Sequence, residues 1–165
     1  MAINKYCFNR DDNWYYDFNI LQQSLSKEKT IAGTTPLFLN VAPQDIAKKL
    51  AEGVQKDFLK AGGLTTTLKN SGQQWDAPNG WAPLQFIAIK GFDNYGLKDE
   101  AKEMATRWVK LNIKVYKSTG KLMEKYNVED THLEAGGGEY PSQDGFGWTN
   151  GVLLKLMAMY NLSGQ

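Results

Sequence analysis

The chain is short of the residues that build most metal and redox sites. Among 165 residues it has one cysteine, Cys7, and one histidine, His132. One cysteine excludes an internal disulfide, and Cys7 reads as a small, partly buried thiol. A lone histidine, in the polar stretch between Glu129 and Glu134, cannot build a common zinc site, so it is assigned no metal role. Arginine is scarce as well, with Arg10 and Arg107 the only two. No charge of one sign dominates: 19 basic residues face 18 acidic ones, which argues against a nucleic-acid surface or a charged tail. Although 42% of the residues are hydrophobic, no run reaches the roughly 18 unbroken apolar residues that a membrane span needs. The opening Met-Ala-Ile-Asn-Lys holds no apolar stretch of signal-peptide length, so the location stays open beyond cytoplasmic as expressed.

What is present is mostly helical periodicity. The length fits one domain, residues 1–165, able to bury a core of its own. Residues 1–35 read as irregular, with an aromatic and acidic cluster around Trp14-Tyr15-Tyr16-Asp17 that serves packing or walls a site. Pro36 to Val41 reads as a short helix. From Pro43, apolar residues recur at three and four (Ile46, Ala47, Leu50, Ala51, Val54, Phe58), the stripe of an amphipathic helix that Gly62-Gly63 should end as a left-handed cap. Leu64 to Asn70 is threonine-rich and extended. A second helix is expected over about 81–94, apolar on most sides and therefore buried, with Gly96 as its stop. A third covers about 98–119 on a stripe that includes Trp108, and a fourth about 148–161. Gly120 to Tyr126 is strand-like or a short turn. No convincing sheet emerges, and the pattern predicts an all-α fold.

Chemistry concentrates in three short stretches. Gln73 to Pro83 reads Gln-Gln-Trp-Asp-Ala-Pro-Asn-Gly-Trp-Ala-Pro. Pro78, Asn79 and Gly80 forbid a continuous helix and make a turn, and Pro83 suits the first turn of the helix that follows. Flat rings at Trp75 and Trp81 beside Gln74 and Asp76 suit a sugar, whose C–H face stacks and whose hydroxyls need partners. Each also has a plain reading. The tryptophans serve equally as core, and Asp76, like Gln73 and Gln74, can bond within its own turn. The second stretch is Glu124-Lys-Tyr-Asn-Val128. The third is Gly136-Gly-Gly-Glu-Tyr-Pro followed by Gln143-Asp-Gly-Phe-Gly-Trp-Thr-Asn-Gly151.

In this order the three stretches resemble the signature segments of the trehalases, the glycoside hydrolases that cut trehalose into two glucoses. The resemblance covers most of the chain, is weakest in the first ten residues, and matches only the C-terminal third of such an enzyme. It implies part of an (α/α)6 barrel, two concentric rings of six helices with the site in the loops at one end. It also implies an inverting mechanism, in which one carboxyl protonates the leaving oxygen and another activates water. The general base then falls on Glu124, which without the resemblance reads as a solvated surface charge. The family has Asp where this chain has Asn127, which removes a charge beside the base. Glu139 takes a substrate-binding role by resemblance, its three preceding glycines allowing close approach. Asp144, Phe146 and Trp148 belong to the same motif, and Asp144 reads alternatively as an N-terminal cap or first-turn acid of the last helix.

The family's general acid is an aspartate in an upstream Glu-Ser-Gly-Trp-Asp-Phe-Ser type motif, and its arginine-containing substrate clamps also lie upstream. Neither has a counterpart here. The expectation is a C-terminal fragment of an inverting trehalase that keeps the base, lacks the acid and is inactive alone. Its partners should be trehalose or glucose, with self-association or pairing with a missing N-terminal part, because half a toroid exposes apolar surface. A non-catalytic carbohydrate-binding or structural remnant is the alternative. A third reading is another (α/α)6 glycosidase that acts on a different glucoside.

Overall fold

The computed structural model describes residues 1–133 and 142–162. The first 35 residues are ordered rather than irregular. Helix α1 (Ala2–Tyr6) leads into two short antiparallel hairpins, β1 (Phe8–Asn9) with β2 (Trp14–Tyr15) and β3 (Phe18–Asn19) with β4 (Ser24–Leu25). Two-residue strands are too short to leave a period in the sequence. Trp14 is their anchor: its buried indole stacks on Phe58 at 5.1 Å and donates to the Thr30 carbonyl at 3.1 Å. A 3-10 turn at Ile31–Thr34 then delivers the chain to α2 (Thr35–Phe38).

Helix α3 (Gln44–Gly53) buries Ala47, Leu50 and Ala51 on the expected stripe. It does not run on to Gly62-Gly63. A π-turn at Val54–Phe58 widens its last turns, and the chain passes directly into the hairpin of β5 (Leu59–Lys60) and β6 (Gly63–Leu64). Gly63 is therefore a hairpin residue, at φ +131, where a side chain would be strained.

The helices nearest the site sit where the periodicity predicts them. After β7 (Asn79–Trp81) comes α4 (Ala82–Asn94), with Pro83 in its first turn, burying Gln85, Ala88, Ile89 and Phe92. It packs on α2 and on α5 (Lys98–Thr119), whose left-handed stop is Gly120. Strand β8 (Lys125–Asn127) follows, and α6 (Gly147–Tyr160) packs on both α4 and α5. The buried core runs through all of them, from Trp14 and Leu37 to Trp108, Val128 and Leu156. Among the described residues the β-structure amounts to four two-stranded pairs, each at most three residues long, which correct the expectation of no sheet without displacing the helices as the frame. No helix of the described residues is long and apolar enough to cross a membrane.

Candidate active site

The site begins with the loop before β7, which is tied to itself. The Thr67 hydroxyl donates to one oxygen of Asp76 at 2.8 Å and the Ser71 hydroxyl to the other. The Asp76 amide bonds Gln73, and the Asn79 amide bonds the Asp76 carbonyl. Asp76 thus spends its carboxylate on its own loop, in line with the plain reading of that residue. Gln74 works through its carbonyl, which accepts from the Trp81 indole at 3.0 Å and from the Asn79 side chain at 3.1 Å. Those bonds seat Trp81, 1% exposed, beneath the loop. Trp75 lies over it and remains 45% exposed.

Strand β7 pairs antiparallel with β8, setting Asn79 opposite Asn127, Gly80 opposite Tyr126 and Trp81 opposite Lys125. This ladder brings the first two stretches together. Only glycine fits at position 80: a Cβ there would stand 2.6 Å from Val128 Cγ1 and 2.7 Å from the Leu64 carbonyl. Gln85, from α4, closes the layer below by bonding both main-chain groups of Leu64, accepting at 2.9 Å and donating at 2.6 Å.

Glu124 sits in a bend one residue before β8. Its amide donates to the Gln143 carbonyl at 2.7 Å, and its carbonyl accepts from the Trp148 indole at 3.3 Å. Thr149 donates to the Met123 carbonyl at 2.7 Å, so the start of α6 clamps the same segment. Trp148 also meets Trp81 edge to face at 5.7 Å. The side chain of Glu124 is buried, and Oε2 accepts from Lys125 Nζ at 3.1 Å. The third stretch is thereby joined to the other two.

Other expectations resolve differently. Asn127 Oδ1 accepts from the Glu129 and Asp130 amides at 3.0 and 2.8 Å, so this side chain shapes the turn after β8, which an aspartate would do equally well. Asp144 caps nothing: α6 begins after Phe146 with no side-chain cap, and Asp144 pairs at the surface with Lys121 at 2.5 Å. The hydrogen bond and charge of Lys121 hold the Asp144 carboxyl below its ordinary range. Burial pushes the Tyr126 hydroxyl up to about 12, so it stays neutral while it accepts from the Met123 amide at 2.9 Å. Trp108 is core and meets Tyr126 edge to face at 5.2 Å. Glu139, with Gly136 to Gly138, lies outside the described residues.

Lys125 and Gln85 carried no functional reading in the sequence. A lysine beside a glutamate looks solvated, and a glutamine inside an apolar helix looks like an interruption. A cavity of about 740 Å³ lies elsewhere, lined by Ile3, Tyr6, Tyr15, Tyr16 and Phe18 among others, and holds none of the site residues above. Among the described residues no three His, Cys, Asp or Glu side chains gather as metal ligands.

Comparison with known proteins gives one answer. The family model for trehalase matches residues 1–161. The periplasmic trehalase of Salmonella agona (strain SL483) is 47% identical over 156 residues, which are 94% of this chain and 27% of that protein. The periplasmic trehalase of Salmonella paratyphi C (strain RKS4594) matches to the same extent. Neutral trehalase Nth1 from Saccharomyces cerevisiae superposes with a TM-score of 0.81 at 26% identity, over 94% of this chain and 28% of that one. A GH63 mannosylglycerate hydrolase from Thermus thermophilus, in complex with glucose, shares the fold at TM-score 0.68 and 22% identity, over 94% of this chain and 37% of that one. The helices therefore form part of an (α/α)6 barrel, and the chain spans about a quarter of the length of the trehalases it matches.

Proposed function

This chain belongs to the trehalase family, and on that premise we propose that it is the C-terminal, base-side part of an inverting enzyme that hydrolyses trehalose to two glucoses. One observation carries the reading. Glu124 is a buried carboxylate whose main-chain amide and carbonyl are both held, at the point where the three signature stretches meet. A general base needs that fixity, since it must accept a proton from water only while that water attacks the anomeric carbon. The open face of Trp75 offers a stacking surface to a sugar ring, with Trp81 as its backing and the Gln74 carbonyl fixing Trp81. Glu139 is a further sugar contact in this reading.

The other half of the reaction is the proton for the leaving oxygen. Neither aspartate of the signature stretches offers one, because Asp76 is bonded within its loop and Asp144 is paired at the surface. General acid catalysis contributes about 10²–10⁴-fold, and the positioning supplied by the rest of the pocket adds to it. In this reading the isolated chain is inactive, two carboxyls and water suffice without cofactor, and the acid comes from the remainder of the barrel.

A carbohydrate-binding remnant without catalysis is the second reading, favoured by the exposed Trp75 alone. Glucose release from trehalose separates the two. The chain alone should give none. Mixed with the remaining three-quarters of the Salmonella trehalase it should give turnover that Glu124→Gln abolishes. Turnover that survives Glu124→Gln overturns the assignment of the base.

A further inference from the structure

We propose that Lys125 is the positioning residue of the base: its ammonium, enclosed between Trp81 and Glu124, keeps the Glu124 carboxylate aimed. This deepens the reading of Glu124 as the base and rests on it.

Lysine side chains almost always keep their ammonium in water, yet that of Lys125 is 0% exposed. A buried ammonium is tolerated when it is paired, and this one has two described partners. Its Nζ donates to Glu124 Oε2 at 3.1 Å and stands 5.7 Å from the Trp81 ring centre, within cation–π range. Neighbouring residues on a strand point to opposite faces. The bend at Glu124, just ahead of β8, removes that restriction and turns its carboxylate to the face where Lys125 lies opposite Trp81. Trp81 is itself fixed by the Gln74 carbonyl and by Trp75. A continuous path thus runs from the exposed aromatic loop through Trp81 and Lys125 to the carboxylate.

Among the described residues, other charged side chains stand on the elements around the pair. Lys121 and Asp144 flank it and neutralise each other at the surface. Asp76 is held by Thr67 and Ser71. Lys155 on α6 is exposed, and Lys90 and Asp93, at the far end of α4, bond each other. A charge-assisted hydrogen bond holds a carboxylate in one orientation, and a general base needs that orientation to reach the attacking water.

The test uses the 165-residue chain without substrate. In a chain with labelled glutamate and lysine, the Glu124 carboxyl carbon is identified by NMR through its loss in Glu124→Gln, and the Lys125 Nζ group through its loss in Lys125→Met. The parent should show slow exchange of the Lys125 ammonium protons with water and a coupling from Nζ across the hydrogen bond to the Glu124 carboxyl carbon, and Glu124→Gln should remove both. Lys125→Met should broaden the Glu124 signal as the carboxylate loses its fixed orientation, and Lys125→Arg should restore a single sharp line. A parent without that coupling, or a Lys125→Met chain that keeps both its circular dichroism and a sharp Glu124 signal, overturns the proposal. Should Lys125→Met not fold, the coupling in the parent still decides. Trehalose turnover that survives Glu124→Gln, in the chain mixed with the remainder of the Salmonella trehalase, refutes the assignment of Glu124 as base and not the pairing.

Discussion

The ring of Trp75 lies flat on that of Trp81, with centroids 3.7 Å apart and planes within 10° of parallel. The two tryptophans share one stack but not one environment, since the lower is enclosed and the upper open to solvent on its outer face. Trp75→Ala should cost about 0.5–1.5 kcal/mol of stability, the worth of an aromatic pair, and should weaken sugar binding. Trp81→Ala should cost about 3–5 kcal/mol. Urea unfolding of the two variants checks the ratio, and equal losses would contradict the division of roles.

Gly80 is where backbone, valine and glutamine close in on β7. Gly80→Ala should destabilise the chain by about 1–3 kcal/mol through overpacking. The ladder between β7 and β8 should loosen with it. Amide hydrogen exchange at Val128, whose N–H bonds the Pro78 carbonyl at 2.9 Å, reports that loosening directly.

Gln85 gives both of its amide atoms to Leu64. Gln85→Leu keeps the volume but leaves a buried N–H and a buried C=O unpaired, at a cost of about 2–4 kcal/mol. The urea midpoint should fall accordingly, and a neutral result would mean that β6 shifts to new partners.

Asp93 ties the end of α4 to the start of α5 through Lys90 at 2.7 Å and Lys98 at 2.5 Å. Burial alone would raise its carboxyl, but the two lysines outweigh that and hold it below the ordinary 3.8. A lowered folded-state value stabilises above the unfolded value and is lost as pH falls through the folded one. Stability should therefore decline below about pH 4, and Asp93→Asn should flatten part of that decline while costing about 1 kcal/mol or less at neutral pH. Thermal melts across the acid to neutral range test it.

Legibility in the sequence followed length and period. Helices α4, α5 and α6 were readable to within a residue or two because each holds a sustained apolar pattern and a clear stop. The end of α3 was not, because a π-turn keeps helical spacing alive through Phe58 while Gly62-Gly63 imitate a cap. The hairpins before residue 30 were missed because a tight turn such as the one at Asn13, φ 55, leaves only two residues on each side. At the site, Trp81 and Glu124 were readable as a motif, whereas Lys125 was not: its meaning comes from a strand partner 44 positions away. Asp144 looked like a cap in one dimension and is a surface ion pair in three.

The ladder between β7 and β8 closes the base of a long loop, since α4 leaves from Trp81 and α5 returns to Lys125. The 13 residues of α4 carry the chain about 20 Å away before it turns at Gly96. Gly96 is exposed, at φ +78, and a Cβ there would meet nothing within 4 Å. That tip is a natural place to lengthen the chain. A reporter peptide or an extra turn spliced in at Gly96 changes the far end of the molecule while the clasp at its base keeps the carboxylate where it is.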